Sequence, residues 1–223
     1  MSLTLLAAGC GGGEEPCNGD SRLCGVPFSG VSFATTHNAM ASAEAGWPAP
    51  NQQYGPARQL QDGVRAMMID LHYWSGEASL CHAQCSLGNI PLKEFLGQLR
   101  SFLLENPREV VTLILENYVE RVDVARALAA TRLDTLVHTQ PTGAPWPTLG
   151  EMIQRDRRLV ILTDREGGKY PWYHAVWTHA WETDWSNKSA ADFTCERNRG
   201  AAGNPLFILN HFIGDPLPSA ELA

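Results

Sequence analysis

Runs of near-continuous apolar residues alternate along the chain with segments whose apolar residues recur every three to four positions. The continuous runs are residues 31–36, 66–74 (AMMIDLHYW), 109–118 (EVVTLILENY), 158–164 (RLVILTD) and 205–212 (PLFILNHF), and they read as strands buried on both faces. The periodic segments, 56–63, 91–107, 122–132 and 148–156, read as helices. In the longest of these, Leu92, Phe95, Leu96, Leu99, Phe102 and Leu103 form one stripe, while Lys93, Gln98, Arg100 and Glu105 point outward. Pro91 and Pro107 bound it, as expected where a helix must start and stop.

Strands and helices in alternation build a parallel sheet wrapped by helices, so the expected class is α/β, as a TIM-type (β/α)8 barrel rather than an antiparallel sandwich. A full barrel of this kind takes about 250 residues. Five strands in 223 residues fall short of it. Either strands hide in the irregular stretch 165–204 or the barrel is cut short at its C-terminus. The second option is favoured because Cys195 then has lost a partner further along, so a distorted, truncated barrel is expected. No repeat, low-complexity block or membrane-spanning run interrupts the pattern.

Composition is that of an ordinary globular domain, at 44% hydrophobic and 18% charged residues. A formal charge of −7 argues against a nucleic-acid partner, because the longest basic run is the RDRR of residues 155–158, read as the solvated end of a helix. The first 16 residues carry an address instead. LTLLAAGC at 3–10 is apolar with small residues before Cys10, and GGGEEP follows as a polar spacer, which together resemble a bacterial lipoprotein cleavage site. The start reads as a remnant of such a signal, with residues 17–223 forming the barrel domain. On that reading Cys10 is lipidated and the protein is extracytoplasmic, held at a membrane surface. Cys17 and Cys24 flank NGDSRL, and Cys81 and Cys85 flank HAQ, so each pair is spaced to close a short disulfide loop in the same oxidising space. A structural zinc is disfavoured, since Cys81, His82 and Cys85 supply only three ligands.

In a parallel barrel, reactive side chains gather where strands end. The first strand ends on His37 and Asn38, the second carries Asp70, the third carries Glu116, and His82 follows in the loop LCHAQC. Asn38, Asp70 and Glu116 are hard oxygen donors suited to Ca²⁺ or Mg²⁺. Two imidazoles beside such an ion suit acid and base roles, and the combination points to phosphodiester chemistry. Blander readings pair Asp70 and Glu116 with Arg65 or Arg165. His72, His138, His174, His179 and His211 are taken as structural. The aromatic run YPWYHAVWTHAWETDW, 170–185, is read as packed rather than lipid-facing.

Six segments in order, FATTHNAM, QLQDGVRAMMIDLHYW, LCHAQC, FLLENPREVVTLILENYV, WPTLGEMIQRDRRLVILTD and NPLFILNHF, resemble the phosphatidylinositol-specific phospholipase C X-domain superfamily, above all its small secreted phosphodiesterases. The resemblance implies a distorted TIM-type barrel that acts on a phospholipid or inositol phosphodiester. The inositol 2-hydroxyl attacks phosphorus and expels diacylglycerol. It places His37 beside the attacking hydroxyl and makes His82 the proton donor to the leaving alkoxide. Asn38, Asp70 and Glu116 match the cation ligands of the metal-using members, Ca²⁺ before Mg²⁺, and Arg165 lies near where the family keeps a cationic side chain that contacts substrate. One departure stands out: the metal-using members carry an acid two residues before Asp70, where this chain has Met68. A glycerophosphodiester phosphodiesterase is the first alternative, set back by Asn38 in place of an arginine after the first histidine. A non-catalytic lipoprotein that binds a sugar phosphate is the second.

Overall fold

Val111, Leu113 and Leu115 alternate with Thr112, Ile114 and Glu116, so one strand buries an apolar comb on its helix side and turns a more polar comb inward. The same parity governs its neighbour, where Met67, Ile69 and Leu71 are fully buried opposite Met68 and Asp70. The computed structural model describes residues 15–82, 84–165 and 167–213, and its elements follow in chain order. They are β1 (Thr35–Thr36), α1 (Pro56–Gln61), β2 (Ala66–Trp74), β3 (Glu77–Leu80), β4 (Ile90–Pro91), α2 (Leu92–Glu105), β5 (Val111–Asn117), α3 (Arg121–Ala130), α4 (Leu149–Gln154), β6 (Leu159–Thr163), β7 (His174–Ala175), β8 (Ala180–Glu182) and β9 (Leu206–Ile208). Cys10, for which lipidation is expected from the sequence, lies outside the described residues.

The main sheet has seven strands in the order β4-β3-β2-β5-β6-β7, with β1 also on β2. β1, β2, β5, β6 and β7 run parallel, as expected for strands joined through helices. β8 and β9 form a separate parallel pair, so the described strands make a barrel-like arrangement that does not close through hydrogen bonds. β7 and β8 fall within 165–204, where no strand was assigned from the pattern. They are two and three residues long, too short to show a periodicity. The predicted strand at 205–212 shortens to Leu206–Ile208, and that at 31–36 to Thr35–Thr36.

The core lies between the sheet and α2, where Leu92, Phe95, Leu96, Leu99 and Leu103 pack on the helix-side comb of β2 and β5. Burial of each such side chain stabilises by roughly 2 kcal/mol before chain entropy is counted. A second core of Phe28, Val110, Trp146, Leu149, Met152 and Val160 sits towards the N-terminal ends of β5 and β6. Both short disulfides read from the spacing are present, Cys17–Cys24 and Cys81–Cys85, while Cys195 is free and exposed.

Candidate active site

One edge of β2 is shared by two partners, and this division builds the site. β1 pairs with Ala66 and Met67, and β3 pairs with Leu71 to Trp74. The positive φ angles of Ser75 (49°) and Gly76 (85°) make the tight turn that folds β3 back on β2. Between the two partners the edge of β2 is open at Met68 to Asp70. Ala39 N–H donates to Met68 O at 2.9 Å, and Cys81 N–H donates to Asp70 O at 3.1 Å. His37 lies two residues before the first of these contacts and His82 one residue after the second, so the two histidines enter from the two sides of the same gap.

His82 Nδ1 lies 3.3 Å from Asp70 Oδ2. That hydrogen bond raises the imidazole above its usual pKa, against the opposing effect of partial burial, with the Asp70 and Glu116 charges adding to the rise. The Cys81–Cys85 disulfide pins the loop from which His82 projects. His37 is shifted the other way, since burial lowers its pKa and the neighbouring His82 adds to this, while Asp70 and Glu116 oppose it. Its ring stacks on Phe212 with centroids 4.5 Å apart, and its carbonyl accepts from Gln52 Nε2 at 2.7 Å. Asn38 is buried at 3% exposure in the left-handed region, φ 48°, a conformation its short amide tolerates better than most side chains.

Asp70 and Glu116 are direct register partners on β2 and β5, so their carboxylates share one face about 5 Å apart at the backbone. Glu116 Oε1 accepts from the Tyr118 hydroxyl. Tyr118 lies between His72, stacked at 4.5 Å, and Arg165, whose guanidinium sits 4.4 Å from the ring centroid. Arg165 also lies 3.6 Å from Asp164, whose carboxyl burial pushes above the usual range. Of the site residues read from the sequence, His37, Asp70, His82 and Glu116 are therefore gathered at one mouth with Arg165 on its rim, while Asn38 is placed there only as the buried chain neighbour of His37. Arg65 does not join them. It bonds Glu109 at 2.6 Å at the opposite end of β5, so the reading that paired it with Asp70 or Glu116 does not hold.

Sequence reasoning passed over Tyr118, His72 and Phe212. The first two had a signal in the parity of their strands, since Tyr118 follows Glu116 by two positions and His72 follows Asp70 by two. Phe212 had none, because it reaches His37 across 175 residues of chain. A half-open, mostly apolar cleft of about 860 Å³ is lined by Ala66, Met68, Ile114, Leu162 and Ile208 together with His37 and polar residues such as Thr36 and Gln52. Met68 stands against Ile114 in register, so the level beneath Asp70 and Glu116 is apolar.

A family model for the PI-PLC X domain (PI-PLC X 1) matches residues 23–219. A PI-PLC X domain-containing protein of Arabidopsis thaliana is 31% identical over 215 residues, covering 86% of this chain and 50% of that protein. An uncharacterized secreted protein of Arthroderma benhamiae is 28% identical, covering 88% of this chain and 48% of that protein. The chain thus spans about half the length of these two relatives. Among solved structures, the phosphatidylinositol-specific phospholipase C of Listeria monocytogenes superposes with a TM-score of 0.53 at 18% identity, covering 74% of this chain and 64% of that one. A Staphylococcus aureus phosphatidylinositol-specific phospholipase C gives 0.53 at 17%, covering 80% and 61%. With a mixed α/β sheet like theirs and a family match along most of its length, the chain belongs to the PI-PLC X family.

Proposed function

We propose that the protein is a phosphoric diester hydrolase of the phosphatidylinositol phospholipase C type. The observation that carries the reading is the placement of His37 and His82 on the two flanks of Asp70 at the mouth of the barrel-like sheet. An in-line displacement at phosphorus needs a proton acceptor on the attacking side and a proton donor on the leaving side. His37, kept neutral by burial, takes the proton of the inositol 2-hydroxyl as that oxygen bonds to phosphorus. The bond from phosphorus to the diacylglycerol oxygen breaks, and His82, held protonated by Asp70, gives its proton to the departing alkoxide. The product is a cyclic inositol phosphate. Arg165 on the rim lies where it can meet the phosphate or head group.

Asp70, Glu116 and Asn38 would hold a divalent cation, Ca²⁺ in preference to Mg²⁺. The described residues offer two acids to a hard ion and no cluster of three or more His, Cys, Asp or Glu side chains arranged to hold one. Asp70 and Glu116 share a register and a face, and each keeps one oxygen, Oδ1 and Oε2, without a hydrogen bond among the described residues. With Met68 in place of a third acid, Ca²⁺ would complete its shell with water and substrate, so affinity is expected to be low. When bound, the ion supplies charge neutralisation for the phosphorane. Isothermal titration with Ca²⁺ should give a weak site that Glu116→Gln abolishes, and undiminished binding by the variant would remove the ion from the reading.

The Cys10 spacer and the two disulfides support an extracytoplasmic, membrane-anchored setting. The deciding measurement is release of cyclic inositol phosphate from phosphatidylinositol by the protein and by His37→Ala, with and without chelator. Equal release by the two proteins would sink the mechanism.

A further inference from the structure

The chain enters the domain at the pole opposite the mouth, and it is fastened there. Arg108 donates from Nη2 to Glu15 O at 2.7 Å and from Nε to Pro16 O at 3.2 Å. Asn18 Nδ2 donates to Val110 O at 3.0 Å while Asn18 Oδ1 accepts from Val110 N at 2.6 Å, so one side chain closes both hydrogen bonds of the residue before β5. Cys17, wholly buried, is tied to Cys24, whose carbonyl accepts from Gly150 N at 2.9 Å. These contacts hold residues 15–24 against the N-terminal end of β5, whereas Glu116 lies at its C-terminal end. The strand rise from Val111 to Asn117 puts ~20 Å between the two poles before any loops are counted.

A tether at Cys10 has only the residues up to Glu15 to work with, which span ~17 Å at full stretch. That is shorter than the wall of the domain, so the tether cannot carry the mouth round to the surface that holds it.

We propose that the domain stands on its anchoring membrane with its mouth turned outward, and that it acts on inositol phosphodiesters offered from a facing surface or from solution rather than on lipids of its own leaflet. This rests on the phosphodiesterase and anchor readings above. The shared chemistry of the two sources is the head-group phosphodiester.

The test couples the full chain through Cys10 to maleimide-bearing phosphatidylcholine vesicles, with Cys195→Ser removing the other free thiol. Phosphatidylinositol is placed in the same vesicles, in separate vesicles, or replaced by soluble glycerophosphoinositol. Cleavage in the same vesicles should run roughly ten-fold or more below cleavage by uncoupled protein, because a tether too short to span contributes almost no effective concentration. Cleavage of lipid in separate vesicles assigns a facing membrane, and cleavage of the soluble diester alone assigns solution. A same-vesicle rate equal to that of uncoupled protein overturns the proposal. A Gly/Ser insertion of about 30 residues after Glu14, which spans ~30 Å on average, should restore same-vesicle cleavage, and failure to restore it also counts against the proposal. Photoactivatable lipid head groups give a readout independent of activity. Cross-links should map to 15–24 and 106–110, whereas cross-links on the Tyr73–Glu77 hairpin would overturn the orientation. Inactivity of the uncoupled protein on every substrate would sink the phosphodiesterase reading while leaving the cross-link map to decide the orientation.

Discussion

His37 and His82 reach the mouth by different backbone routes and play different chemical parts, so their substitutions should be separable. Removing either imidazole costs a general acid or base, roughly 10²–10⁴-fold in rate. The proton from His82 matters only when the departing oxygen is a poor leaving group. With an aryl phosphodiester of inositol, whose leaving group departs without protonation, His82→Ala should recover most of its activity and His37→Ala should not. Similar recovery by both would mean that the roles are misassigned. The candidate site was legible because its residues are polar groups set at the ends of apolar runs, where a barrel collects its chemistry. Tyr118 and His72 were less legible because aromatic residues on strands are ordinarily packing residues. Only the observed stack of His72, Tyr118 and Arg165 over Glu116 gives them a place at the rim.

The elements differ in how plainly the chain announces them. β2 appears with the bounds its apolar run indicates, and α2 appears within two residues of its predicted ends, since both patterns are long enough to average over local exceptions. β3 was missed although Ser75-Gly76 is a hairpin signal, because EASL alone has neither length nor β-branched residues to mark a strand. Yet β3 is what aims His82, since its antiparallel pairing delivers Cys81 to Asp70 and the Cys81–Cys85 disulfide then holds the turn. The disulfide closes too small a loop to matter much for global stability, ~2 kcal/mol by loop entropy. Its cost when lost should fall on catalysis. Paired Cys81→Ser and Cys85→Ser substitution is therefore expected to lower kcat roughly ten-fold or more through misplacement of His82, with a modest fall in melting temperature. A variant that melts early yet keeps full kcat would show that the loop is positioned by other means.

At the scale of the whole molecule, three histidines that the chemistry does not use lie beside the second core, two of them against its Trp146. His138, His174 and His179 are all buried, and burial lowers the pKa of each. His174 is the most constrained, lowered to about 4 by burial, with His179 and His138 adding to the effect. Its Nδ1 lies 2.9 Å from Ile161 O and must donate, while Nε2 accepts from Gln140 N at 2.9 Å. A second proton on Nε2 would set N–H against N–H. Above pH 6.5 this group is neutral in folded and unfolded chains alike and costs nothing. Between 6.5 and 4 the unfolded chain takes up a proton that the folded one refuses, so stability falls as the pH falls, by up to ~3 kcal/mol from this residue. His138 and His179 act in the same direction, and Arg155 deepens the shift at His138. His174→Gln keeps an acceptor for Gln140 and a donor for Ile161 but cannot titrate. Its melting temperature should decline less steeply than that of the unaltered protein as the pH is lowered from 6.5 to 4, whatever its value at neutral pH. Parallel declines in the two proteins would place the acid sensitivity in groups other than His174.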